Sequence, residues 1–310
     1  MTLIITCATR FFSVCVSDRL TTVDERTHDA LANKVIVSRL DGALLTLGYT
    51  GVAYIDNLPT DEWLVRAVVP DLRESAAWSS GYATIPRTVG GFVSRIVGAV
   101  DNRARSKRDL WANPLTIGIS GCQDSPIGLR PYHLTITKKR QGARLEFNLV
   151  TRHPHQGLDV AAIWISGGWG PARPEVFSTM MIRLGEFLPS TPGAALEWRT
   201  ILQDAVKAVA ATTRRVGAET MSVVHLPYEK RTEITFSGEE PHALPLVITE
   251  FFPSSFAHYS PWILGHNTVM APSVFAGSQI LELAGHQFHI KGGDNPNGFY
   301  FGTQDRAPNA

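Results

Sequence analysis

MTLIITCATRFFSVCVSDRL, residues 1–20, carries two apolar runs around a short aromatic connection. Residues 2–9 read as a strand, Arg10-Phe11-Phe12 as a turn, and Ser13–Asp18 as the returning strand of a hairpin. The hairpin comes back to an aspartate, and the residue behind the initiator methionine is a threonine. If Met1 is removed, Thr2 carries a hydroxyl and a free amine on one residue. That combination is either a nucleophile paired with its own base or no more than the residue that follows a start codon.

Beyond a polar stretch from Thr21 to Asn33, Lys34–Arg39 and Ala43–Leu47 form a second strand pair around Asp41-Gly42, a hairpin signal. The pair ends in Gly48-Tyr-Thr-Gly51. Helix-start chemistry appears at Thr60, with Asp61 and Glu62 in the first turn. A second helical pattern covers about Pro86 to Arg105, with Val89, Phe92, Val93, Ile96 and Val100 on one face. Strands resume at Leu115–Ser120, followed by a turn over Gly121–Pro126 and strands at His133–Lys138 and Arg144–Val150. Val160–Ile165 runs into Ser166-Gly167-Gly168. Helices are expected at about 174–188 and 194–214, and a strand at Met221–Leu226. Segregated runs of strands and helices favour an α+β layered fold, a stacked sheet pair with helices on both outer faces.

Residues 228–310 change character, with many prolines, aromatics and histidines, short strand-like runs and no helical pattern. The expected organisation is a main domain over 1–226 and a β-rich, Pro/aromatic-rich extension over 227–310.

Composition narrows the function classes. Hydrophobic residues make up 44% of the 310 and charged residues 18%, enough apolar content for a large core. A formal net charge of +1 gives no reason to expect a polyanionic partner, and the basic run Arg103–Arg108 has no interleaved aromatics, so it reads as a solvated helix end. Nucleic acid is therefore not expected. No stretch approaches the ~20 apolar residues that span a bilayer, and no signal-peptide pattern opens the chain, which makes the cytoplasm the expected location. Three cysteines, Cys7, Cys15 and Cys122, have no metal or redox spacing. His153/His155 and His286/His289 lack an acidic partner at zinc spacing, and the aromatic cluster at His258–Leu264 reads as packing. No cofactor and no metal are expected.

The front of the chain resembles proteasome β-type subunits and the HslV peptidase, members of the N-terminal nucleophile (Ntn) hydrolase superfamily. The residues that carry the resemblance are Thr2, Asp18 within Val-Ser-Asp-Arg, Lys34 opening the third strand and Gly48 closing the fourth. They fall at the family's intervals without insertion. More loosely, Gly121 with Asp124, Ser166-Gly167-Gly168 and the run from Val216 to Val224 resemble later turns of the family, so the likeness covers about 1–226. Where the family places an aspartate before the last sheet strand, Arg214–Glu219 offers Glu219 but no aspartate.

The resemblance implies a four-layer αββα sandwich and a division of labour. Thr2 Oγ would be the nucleophile and its own amine the base, since an α-amino group has a reference pKa of roughly 7.7–8.0. Lys34 would lower the proton affinity of that pair by like-charge repulsion, and Asp18 would orient Lys34. The Gly48 N–H would donate to the oxyanion, and Ser166 would add a hydroxyl near the amine. The implied function is amide-bond hydrolysis of a peptide or small amide substrate, as a threonine-type peptidase or amidohydrolase. The implied assembly is a homo-oligomer, a ring in the peptidase relatives, where an ATPase partner delivers the substrate. The rival is a catalytically silent binding or assembly module built on the same sandwich.

Overall fold

Apolar and small polar residues alternate along IITCAT and SVCVSD, and the alternation sorts the two faces of the first hairpin. Ile5, Cys7, Val14 and Val16 pack toward helices, while Thr6, Ser13, Cys15 and Ser17 are also buried but stand apart from that apolar cluster. The computed structural model describes residues 2–23, 26–29, 32–69, 86–106, 115–126, 128–138, 145–148, 160–166, 174–191, 193–237, 246–248, 263–265, 268–271, 274–276, 278–283, 286–291 and 300–304.

The chain opens with β1 (Ile4–Thr9), β2 (Ser13–Asp18), β3 (Thr21–Val23), β4 (Arg26–Asp29), β5 (Val35–Leu40) and β6 (Ala43–Thr50). Two short strands, β7 (Tyr54–Ile55) and β8 (Leu58–Pro59), lead into α1 (Thr60–Val68) and α2 (Val89–Ser106). Then come β9 (Thr116–Ser125), β10 (Gly128–Lys138), β11 (Leu145–Asn148) and β12 (Val160–Ser166). The helices α3 (Pro174–Gly185) and α4 (Ala194–Ala210) precede β13 (Thr220–Leu226) and β14 (Arg231–Ser237). The last strands are β15 (Leu246–Ile248), β16 (Ile263–Gly265), β17 (Thr268–Ala271), β18 (Val274–Ala276), β19 (Ser278–Leu283), β20 (His286–Lys291) and β21 (Tyr300–Gln304).

Two sheets dominate. The first has the order β12-β1-β2-β13-β14-β15, and the second β11-β10-β9-β6-β5-β16-β17-β18. Every pairing within them is antiparallel except β16 with β5. Each sheet buries its own apolar cluster against its own pair of helices. Ile5, Val14 and Val16 meet Met180, Leu184, Trp198, Leu202 and Val206 of α3 and α4. Ile36, Leu45, Leu47, Ile117 and Ile119 meet Leu64, Val68, Phe92 and Ile96 of α1 and α2. The helical periodicity of both helix pairs therefore ends where expected, on a sheet.

The sheets also meet each other, with β1 and β2 lying against β9, β12 against β9 and β10, and β13 against β6. Cys122 Sγ lies 3.5 Å from the Thr9 carbonyl across this junction. Burial pushes the thiols of Cys15 and Cys122 up to about 12, so they pack as small apolar groups. His225 is fully buried, with Nδ1 2.8 Å from Thr232 Oγ1. Desolvation, helped by the positive charge of Arg39, pushes its pKa down to about 3. An unfolded histidine takes up its proton near the ordinary value, about 6.5, whereas the folded one stays neutral until far lower pH. Stability is then complete above about 6.5 and falls by about 1.4 kcal/mol for each pH unit below it, until the folded pKa is reached. Urea unfolding at pH 7 and pH 5 should show this loss, and His225→Gln should remove most of its slope.

Two local readings are corrected. Residues 121–126 are not the turn, because β9 runs straight through Gly121 to Ser125 and pairs with both β6 and β10. The glycine answers to close approach instead, since a Cβ there would lie 2.0 Å from the Leu44 carbonyl oxygen. Gly121→Ala should destabilise the protein by about 3 kcal/mol, the upper end for overpacking, read as a lower urea midpoint with unchanged slope. Thr60 is not a side-chain N-cap; its hydroxyl bonds the Val52 carbonyl at 2.8 Å and Pro59 occupies the cap position. Past Leu226, β14 and β15 extend the first sheet while β16, β17 and β18 extend the second.

His286 and His289 lie in β20, and His153, His155 and residues 258–262 fall outside the described residues. Among the described residues there is no group of three or more His, Cys, Asp or Glu placed to hold a metal ion. Among them, no helix is long and apolar enough to cross a membrane.

Candidate functional site

Asp18 ends β2, and it is fully buried. A carboxylate in that position must find partners, because an unpaired buried charge is costly. Its partners come from four separate parts of the chain. Oδ1 accepts the Leu3 N–H at 2.7 Å. Oδ2 accepts the Lys34 ammonium at 2.9 Å, the Leu20 N–H at 3.2 Å and the Gly217 N–H at 3.2 Å. The backbone reinforces this arrangement, since the Asp18 N–H donates to the Leu3 carbonyl at 3.0 Å.

Lys34 sits immediately ahead of β5 and is 2% exposed. Besides Asp18, its ammonium donates to the Leu20 carbonyl at 2.5 Å. The Lys34 carbonyl accepts the Tyr49 N–H at 3.3 Å, and the Tyr49 hydroxyl donates to the Asn33 carbonyl at 3.2 Å. The lysine is thus held at both its backbone and its tip, which is unusual for a side chain with four rotatable bonds. Charge-assisted bonds of this kind are the stronger class.

Thr2 is 8% exposed and lies directly before Leu3. The amide N–H that follows Thr2 is the one that Asp18 Oδ1 accepts. The Leu3 amide, which follows residue 2, and the Lys34 ammonium are therefore held by opposite oxygens of one carboxylate. This is the central fact of the site.

The other two residues expected from the sequence lie on neighbouring strands. Ser166 ends β12 opposite Ile4 of β1, and Ile4 in turn lies opposite Ser17. Gly48 lies within β6, opposite Val35 on one side and Gly118 on the other. Since the Tyr49 N–H points to Lys34, strand alternation turns the Gly48 N–H toward β9 and Gly118.

Further residues surround the group. Arg19 is fully buried, with its guanidinium 4.7 Å from the centre of the Phe236 ring. Its backbone N–H donates to the Glu219 carbonyl at 3.1 Å, and its carbonyl accepts the Ala32 N–H at 3.0 Å. Glu219 thus enters through its backbone, while its Oε2 is buried without a hydrogen-bond partner. Leu20 and Gly217 contribute amides. A backbone donor carries no side-chain signature, so the only trace of Gly217 in the sequence is a glycine ahead of the strand Thr220–Leu226.

No protein-family model matches the chain, and no curated protein does. Among solved structures, it is similar to Anbu (ancestral beta-subunit) from Yersinia bercovieri, at 12% identity and a TM-score of 0.47 over 72% of this chain and 81% of that one. An Anbu (Gly-1) mutant from Hyphomicrobium sp. strain MC1 gives 10% identity and 0.45 over 73% and 82%. Eukaryotic HslV from Trypanosoma brucei gives 15% identity and 0.38 over 72% and 98%.

Proposed function

We propose that the protein is an amide-bond hydrolase of the Ntn type, built as a four-layer αββα sandwich, with Thr2 as its nucleophile once Met1 has been removed. The observation that carries this reading is the Asp18 carboxylate, which bonds the amide next to residue 2 and the Lys34 ammonium at once.

In the first step the Thr2 amine accepts the hydroxyl proton and Oγ attacks the substrate carbonyl carbon. The C–N bond then breaks, and the leaving amine takes the proton back from the ammonium of Thr2. Water, deprotonated by the same amine, hydrolyses the resulting ester and regenerates Thr2. Lys34, whose tip is fixed by Asp18 and Leu20, supplies a positive charge that lowers the cost of the alkoxide. Ser166 would assist at the amine. Gly48 serves as oxyanion donor only if substrate binding draws its N–H away from Gly118, so this role requires β6 and β9 to part at that point.

The substrate is a peptide or a small amide. The working form is a homo-oligomer, a closed ring if the substrate is polypeptide delivered by an ATPase, and residues 227–310 are an accessory extension. Intact-mass analysis before and after treatment with a peptidyl β-lactone tests the chemistry. One adduct on a chain lacking Met1, absent in Thr2→Ala, is expected. Retention of Met1 in the purified protein would sink the proposal.

A further inference from the structure

We infer that Gly217 is a positioning residue for the Lys34 ammonium and that it acts through Leu20. Three contacts carry the inference. The Gly217 N–H donates to Asp18 Oδ2 at 3.2 Å. Leu20 donates its own N–H to that same oxygen at 3.2 Å and accepts the Lys34 ammonium on its carbonyl at 2.5 Å. A Cβ added at Gly217 would lie 2.7 Å from Leu20 Cβ and 3.2 Å from Leu20 N.

Gly217 is not one of the glycines with positive φ, so space and not torsion demands the missing side chain. Real side chains do not approach to 2.7 Å, and the nearest atom is a Cβ fixed to the backbone, so any larger residue must push the main chain at residue 20. That displacement would loosen the Leu20 N–H from Asp18 and the Leu20 carbonyl from Lys34 together. One methyl group in the turn before β13 therefore reaches an ammonium bound to the same carboxylate oxygen. The consequence for rate rests on the catalytic reading above, whereas the placement of Lys34 does not.

Two measurements test it, one of them independent of activity. In the unaltered protein the Gly217 amide should exchange with deuterium at least ~100-fold slower than an unprotected amide, and Asp18→Asn should speed it. An unprotected Gly217 amide overturns the inference even if no variant folds. In Gly217→Ala, Lys34 should react with an N-hydroxysuccinimide ester about 10-fold or more faster, mapped by peptide mass spectrometry, because its protection depends on buried bonds. The paired variant Gly217→Ala with Leu20→Gly removes the colliding Cβ and should restore protection. Unchanged Lys34 reactivity in a folded Gly217→Ala, or no rescue in a folded pair, overturns the inference.

The β-lactone rate then separates this inference from the catalytic proposal. If Thr2 is acylated, Gly217→Ala should shift the pH profile of acylation to higher pH, since the amine loses its cationic neighbour, and the pair should shift it back. If Thr2 is never acylated while Lys34 protection follows the pattern above, the hydrolase reading falls and the positioning role stands.

Discussion

Lys34→Met is expected to cost about 3–5 kcal/mol of unfolding free energy, because it leaves Asp18 as an uncompensated charge at a fully buried position. The two side chains are 3% and 0% exposed and their charged atoms are 2.9 Å apart. Breaking such a pair from one side is far worse than removing both charges. Asp18→Asn with Lys34→Met keeps an oxygen for the Leu3 amide but turns an amide NH2 toward the Leu20 and Gly217 N–H donors, so it should recover only part of the lost stability. The paired variant should nevertheless be inactive, as it lacks the cation that the chemistry needs. Urea unfolding of the two single variants and the pair completes a double-mutant cycle. A pair no more stable than Lys34→Met would show that the ion pair is not what Asp18 and Lys34 contribute.

The second large effect is on rate. Thr2→Ala should abolish the lactone adduct and lower amide turnover by roughly 10⁴–10⁶-fold, the scale seen when a hydrolase loses its nucleophile. Stability should change by about 1 kcal/mol or less, since only a short polar side chain is altered. Thr2→Ser keeps both the hydroxyl and the amine and should retain the adduct. An adduct that persists in Thr2→Ala, or one mapped to another residue, would remove Thr2 from the mechanism. These variants separate chemistry from folding, because Lys34→Met moves both and Thr2→Ala moves only one.

How much of this was legible in advance depends on the kind of group involved. Asp18 and Lys34 were singled out through the resemblance, since a charge at a strand end is otherwise an ordinary turn or edge residue. The resemblance implied that Asp18 orients Lys34; their burial and the distance of 2.9 Å come from the structure. Leu20 and Gly217 were not visible, because both act through main-chain atoms that every residue possesses. Gly121 was misread for a related reason. Glycine marks turns and close approaches alike, and only the Leu44 carbonyl 2.0 Å from its would-be Cβ distinguishes them.

The sequence by itself determined the hairpins, the helical faces and the chemical types at positions 2, 18, 34 and 48, because alternation, period and charge are local properties of the chain. Tertiary structure decided which of those types share an atom. Asp18 and Gly217 are 199 residues apart, and their bond exists only because β13 pairs with β2 and carries the preceding turn to the carboxylate. Strands past Leu226 joined both sheets for the same reason: a sheet edge accepts any strand with free amides and carbonyls, whatever the composition of the segment that supplies it.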